Sequence, residues 1–187
     1  GAVYAARDSH GFRPLVLGRL DRGWIAASET CALDIVEAEF LREQLVAAMK
    51  NRAMFYWEVY RVLEREFGAD RAAALVSEAI YNRGCAVGER FREFGPGDFD
   101  GLRQAFIESI PDRGRPFEPE VRACDDEGLE IRFHRCPLKE AWIDAGLADD
   151  EVATMCRIAG TVDNGTFEAA GFGFRSETWQ PGRSGCC

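Results

Sequence analysis

Three cysteines, one histidine and one aspartate in the C-terminal part of the chain have types and spacings that suit thiol chemistry. His134 and Cys136 lie two residues apart in "GLEIRFHRCP", where apolar and polar residues alternate. On a strand both side chains would share one face, roughly 6–7 Å apart. Cys156 and Asp163 lie seven residues apart in "MCRIAGTVDNGTF". On a helix that spacing is two turns along one face. Cys186 follows the Gly-rich turn of "WQPGRSGCC". A cysteine beside an imidazole can lose its proton near neutral pH and attack an electrophilic carbon. Alternatively, Asp163 or His134 could activate water as a general base. Arg175 and Arg183 have the planar fork that binds a carboxylate through two parallel hydrogen bonds.

Each of these residues also has a plainer reading. Buried cysteine packs as a small hydrophobe, and Cys136 and Cys156 are equally well explained that way. His134 sits between Arg132 and Arg135, as a solvated histidine would. Asp163 precedes Asn164-Gly165, a strong turn signal that can end a helix. Most arginines face solvent, Arg175 and Arg183 included in that expectation. Cys85 and Cys124 join no motif. His134, Cys136, Cys156 and Cys186 also have the ligand types of a Cys₃His zinc site, but H-x-C lacks the close ligand pairs of structural zinc. No metal and no cofactor are therefore expected. A redox pair from adjacent Cys186 and Cys187 would need a strained eight-membered ring. Among the thiols Cys156 is the expected nucleophile, ahead of Cys136. A helix holds its groups more precisely than a loop, and Pro137 suits Cys136 to a structural strand end.

The elements that must position these residues begin with a β-meander. Residues 3–6, 15–17 and 24–28 read as short strands, with turns at Asp8–Gly11 and Asp21–Gly23. Apolar residues then recur every three or four positions from Val36 to Phe67, the pattern of a long amphipathic helix closed by Gly68. A second helix is expected from an Asp70 cap to about Asn82, with Gly84 as its stop. A third runs from a cap at Asp98 or Asp100 to Ile110. Pro116 and Pro119 mark an extended connection, followed by the alternating strand. "LKEAWIDAGL" suits a short helix closed by Gly146, and Asp149 or Asp150 would cap a last one buried along Val152, Met155, Ala159 and Val162. "FEAAGFGFRSETW" reads as a final strand before the Pro181-Gly182 turn. Helices first and a mixed half afterwards imply an α+β fold.

Composition narrows the class of protein. The 187 residues are 47% hydrophobic and 29% charged, ordinary for a globular chain. No apolar run approaches the 18–20 or so residues of a membrane span. The net charge is −9. Residues 1–35 carry Arg7, Arg13, Arg19 and Arg22 against Asp8, Asp21, Glu29 and Asp34, so the acidic excess lies downstream. No basic stripe interleaves with aromatics, which argues against nucleic acid as a partner. Seven cysteines, with no secretory signal in view, read as reduced cytoplasmic thiols. The expected partner is a small-molecule substrate, with neither nucleic acid nor membrane; self-association is left open.

Two stretches resemble known families. "ARDSHGFRPLVLGRL" and "ASETCALDIV" resemble the glutaminase domain of amidophosphoribosyltransferase, over about residues 1–35. That family has Pro where Ser9 stands and needs a catalytic cysteine where Gly1 stands. Its glutamine-holding motifs are absent, so no functional residue carries over and residues 1–35 are expected to be a non-functional fragment. "FHRCPLKEAW", "MCRIAGTVDNGTF" and "FRSETWQPGRSGCC" resemble the L-2-amino-thiazoline-4-carboxylate hydrolase family, over about residues 37–187. Its cysteine and aspartate positions fall on Cys136, on Cys156 with Asp163, and on Gly182 with Cys186. The family continues with Asp-Phe after its last cysteine where Cys187 stands here, so a truncated closing strand is expected. The Gly-x-x-x-Cys ending also resembles vinyl-reductase-like small-molecule-binding domains. The first resemblance of this second stretch implies a hydrolase that opens the ring of 2-aminothiazoline-4-carboxylate to a carbamoyl-cysteine. The vinyl-reductase-like one implies a binding or sensory domain without catalysis. The domain organisation that follows is an amidotransferase-like fragment at 1–35 and a hydrolase-like domain at 36–187.

Overall fold

A computed structural model describes residues 16–20, 23–27, 31–183 and 185–186. The architecture is α+β, with five α-helices and two small antiparallel sheets among the described residues. The chain divides into two compact units, residues 1–45 and 46–187. In the first, β1 (Val16–Leu20) pairs with β2 (Gly23–Ala27), Val16 opposite Ala27 and Leu20 opposite Gly23. The expected strand at 3–6 and the turns at 8–11 and 21–23 lie wholly or partly outside the described residues.

The long helix α1 (Cys31–Phe67) ends where Gly68 takes a φ of 81°, as its apolar recurrence predicts. Met49, Ala53, Trp57 and Tyr60 form its buried stripe in the second unit. There the indole N–H of Trp142 donates to the Ala53 carbonyl at 2.9 Å, so the one polar atom of a fully buried ring is satisfied.

Helices α2 (Ala69–Gly88) and α5 (Asp149–Ala169) form the principal helix pair of that unit. Both outrun the sequence expectation for the same reason. Gly84 does not stop α2, and Asn164-Gly165 does not stop α5. A Cβ at Gly84 would fall on the Val162 carbonyl oxygen, one at Gly88 on that of Thr166, and one at Gly165 on that of Tyr81. The glycines let two backbones touch, and Thr161 and Thr166 add hydroxyl donors to the Ser77 and Gly84 carbonyls at 3.1 and 3.3 Å. Tertiary packing thus overrides local turn signals.

Other caps differ in detail. Asp98 caps α3 (Phe99–Ser109) through the Gly101 N–H at 2.9 Å, as expected. Asp70 does not cap α2, whose N-cap is Gly68. Ala148 precedes α5, and the Glu151 carboxylate accepts its N–H at 2.8 Å. The extended connection holds a strand, β3 (Pro119–Cys124), paired antiparallel with β4 (Leu129–Phe133). Pro119 is tolerated as the first residue of a strand. Helix α4 (Pro137–Asp144) follows, closed at Gly146 as expected.

The expected final strand is not formed. After α5 the chain from Phe172 to Gln180 forms neither helix nor strand. Phe172 and Phe174 anchor it in an aromatic cluster, with Phe99 5.5 Å from Phe172 and Phe167 4.8 Å from Phe174 between ring centroids. Side chains rather than a ladder hold this segment, which belongs to neither of the two sheets among the described residues.

Gly165→Ala is predicted to lower stability by about 1–3 kcal/mol through overpacking. Helix propensity alone would raise it by about 1 kcal/mol, so the sign is diagnostic. Gly173→Ala, at a position with no atom in reach of the new Cβ, should stay within about 0.5 kcal/mol. Urea denaturation of the three chains decides.

Candidate active site

The β4–α4 junction brings Cys136 and Cys186 together. Pro137 starts α4 at its first position, where a missing N–H costs nothing and the fixed φ suits a helix. Cys136 is therefore the N-cap residue, with φ −148° and ψ 113°. Its sulfur lies at the positive end of the helix, beside the first-turn N–H groups of Leu138 and Lys139. The C-terminal segment reaches the same place from the other side. Thr178 packs on Gly160 of α5, 2.9 Å from where a Cβ would be. The Cys186 N–H donates to the Phe133 carbonyl at 3.2 Å. Lys139 Nζ donates to the Gly185 carbonyl at 2.7 Å and stands 5.8 Å over the Trp179 ring. Gly185 takes a φ of 90°, and a Cβ there would lie 3.1 Å from Arg132 Nη2. Both facts favour glycine.

The surroundings of Cys136 draw its pKa down. The hydrogen bond from the Cys186 thiol lowers its pKa most. Burial opposes this; the Lys139 and Leu138 backbone N–H groups and the Lys139 charge assist, and the net value is about 7. A large fraction of Cys136 is then thiolate at neutral pH. Pro137, which in the sequence suits a structural role for Cys136, is what places the thiol on the helix end.

The remaining candidates are distributed as follows. Cys156 is buried in the α5 stripe with Val152, Met155 and Ile158. Asp163 lies two turns along from Cys156 on the same helix, and burial pushes its pKa up to about 6. His134 is exposed, its Nε2 2.8 Å from a Glu120 carboxylate oxygen across the hairpin. That contact is the main reason the Glu120 carboxyl titrates below its usual range. Arg183 pairs with Glu177 at 3.1 Å, and Arg175 is exposed. Among the described residues, no three His, Cys, Asp or Glu side chains lie close enough to hold a metal ion, so the Cys₃His set is not assembled. Lys139 is the residue that spacing does not single out. The readable signal for it is Cys-Pro at a helix start, which points the following first-turn groups at the thiol.

Two titrations follow. Iodoacetamide labelling of Cys136, followed by peptide mass, is predicted to reach half its limiting rate near pH 7. Cys186→Ala removes a donor to the thiolate and should raise that midpoint by about one pH unit. Asp163 binds its proton more tightly folded than unfolded, so its contribution to stability is greatest below about pH 4. It is lost as the pH rises through about 6. Asp163→Asn should therefore stabilise the chain by on the order of 2 kcal/mol at pH 8 and leave it unchanged at pH 4.

Comparison with known proteins completes the description of the chain. It is 68% identical over 41 residues to amidophosphoribosyltransferase of Mycobacterium tuberculosis, covering 22% of this chain and 8% of that protein. The match to amidophosphoribosyltransferase of Mycobacterium leprae is 66% over 41 residues, again 22% of this chain and 7% of that one. That of Synechococcus elongatus is 29% identical over 129 residues, 62% of this chain and 25% of its own. The chain spans a quarter or less of the length of these curated relatives. Residues 1–35 resemble a fragment of amidophosphoribosyltransferase. No solved structure matches the chain. No helix among the described residues is long and apolar enough to cross a membrane. A family model for L-2-amino-thiazoline-4-carboxylic acid hydrolase matches residues 47–187, most of the chain, and the protein belongs to that family.

Proposed function

We propose that the protein hydrolyses a small cyclic amidine of the 2-aminothiazoline-4-carboxylate type, with Cys136 as nucleophile. The single observation that carries this is a thiol at the start of α4 with its pKa drawn down to about 7. A thiolate is the competent nucleophile, and the ring carbon between nitrogen and sulfur is the electrophile. Cys136 attacks that carbon and its bond to the ring sulfur breaks. The ring sulfur leaves as a thiolate and takes a proton, which in this reading the Cys186 thiol, hydrogen-bonded to Cys136, supplies. Water then adds to the same carbon, now part of an isothiourea, and expels the Cys136 thiolate; one of the water's protons goes to the former ring nitrogen and the other restores the Cys186 thiol, leaving a carbamoyl-cysteine. Net, one water is consumed and the nucleophile is restored. No cofactor enters. Lys139 supplies positive charge beside the thiolate; in this reading Cys156 and His134 do not touch the reacting atoms.

The family assignment supports the hydrolase class, and the thiol geometry supports the choice of Cys136 over Cys156. Asp163, with a pKa near 6, is retained as a candidate proton carrier on α5. The non-catalytic binding domain is the alternative that the same experiment excludes or establishes.

Incubation with 2-aminothiazoline-4-carboxylate should yield carbamoyl-cysteine, read by mass spectrometry. Cys136→Ser should lower the rate at least about 100-fold while leaving the circular dichroism spectrum unchanged. Cys156→Ser should keep the rate within about tenfold, and His134→Ala within about threefold. Binding of the compound without product would establish the non-catalytic alternative. Loss of turnover in Cys156→Ser with Cys136→Ser active would reverse the assignment of the nucleophile.

A further inference from the structure

We infer that Cys136 and Cys186 form a reversible disulfide, a redox modification site that fastens the C-terminal segment to the β4–α4 junction. Three observations carry it. The two thiols are hydrogen-bonded to each other. The Cys186 N–H is fixed on the Phe133 carbonyl at 3.2 Å, three residues before Cys136. The neighbouring Gly185 carbonyl is fixed by Lys139, three residues after Cys136, at 2.7 Å. The peptide unit that leads into Cys186 is therefore tied to both flanks of Cys136, and thiols already in contact need only a small closure to reach an S–S bond of about 2.05 Å. The loop closed would span about 50 residues, where a native cross-link has the most effect on the unfolded chain.

The oxidant is a low-molecular-weight disulfide of the glutathione type. Cys136, as thiolate, attacks one sulfur of it; that S–S bond breaks and one small thiolate leaves. Cys186 gives its proton to solvent and attacks the Cys136 sulfur of the mixed disulfide. The second small thiol leaves. Two protein thiols are oxidised and one small disulfide is reduced to two thiols. Cys136 has the properties of the attacking partner, being half-buried and at a helix N-terminus; Cys186 is the buried resolving partner. The adjacent Cys187 is not required. Because the pair includes Cys136, oxidation switches off turnover; that consequence rests on the proposed role of Cys136, whereas the pairing does not.

The test uses the reduced full chain incubated with oxidised glutathione, then blocked with N-ethylmaleimide, digested and weighed. The expected product is peptide 136–139 linked to peptide 184–187, with two thiols lost per chain and full recovery on reduction. Trypsin leaves Cys186 and Cys187 on one peptide, so variants assign the partner. Cys187→Ser should keep the link. Cys186→Ser should lose it and accumulate glutathione on Cys136 instead. A link that survives Cys186→Ser, or wild-type chain that holds only mixed disulfides, overturns the inference. Failure of the hydrolase reading would look different: the link forms, but reduced protein yields no carbamoyl-cysteine.

Discussion

The backbone contact between α2 and α5 is the constraint on which the second unit depends. Gly84, Gly88 and Gly165 leave no room for a side chain between the helices. At such distances each added methyl meets a carbonyl oxygen rather than a flexible side chain, so overpacking outweighs the helix propensity that alanine would add. The crossing places Gly160 of α5 against the C-terminal segment. Thr178 uses Gly160 as its seat. Further along, Phe167 of α5 joins Phe91, Leu102, Ala170 and Phe172 in the aromatic cluster that anchors the start of that segment.

The C-terminal segment therefore has no ladder of its own and is held at points. Phe172 and Phe174 fix one end, and the Phe133 and Lys139 hydrogen bonds fix the other. This arrangement explains how a thiol more than forty residues from Cys136 in sequence becomes its hydrogen-bond donor. For Cys136 itself, burial raises the pKa while the donor thiol, two helix amides and an ammonium lower it. The favourable contributions win by about two pH units, on the order of 2–3 kcal/mol in favour of the thiolate. A helix end alone contributes about 0.3–1 kcal/mol, so the thiol–thiol contact is needed for the full effect.

Periodicity made α1 legible, and Asp98 was one of two residues that marked the start of α3; Pro137, read as the end of a strand, is the first residue of α4. The α+β class followed from the same pattern. What sequence hid was nonlocal. Gly84 and Asn164-Gly165 look like stops because glycine usually ends helices; here glycine is the contact surface of a helix pair, which only the partner reveals. β3 was hidden by its leading proline. At the site, Cys136 and Cys186 were both legible as candidates, but their pairing was not, since 50 residues of chain separate them. His134 and Cys136 share a face only if the strand continues; it ends at Phe133, so His134 turns to Glu120 and Cys136 to the helix. Cys156 drew attention by its spacing to Asp163, yet its side chain belongs to the packed face of α5.

The central claim is that chemistry passes through the sulfur of Cys136. The most direct measurement is trapping the covalent intermediate: the protein is mixed with 2-aminothiazoline-4-carboxylate, quenched in acid within one turnover, and digested for mass analysis. The predicted result is an increment equal to the whole substrate on the peptide that carries Cys136, since ring opening by a thiolate is an addition. The increment on the peptide that carries Cys156, or turnover by protein whose Cys136 has been blocked beforehand, would contradict the claim.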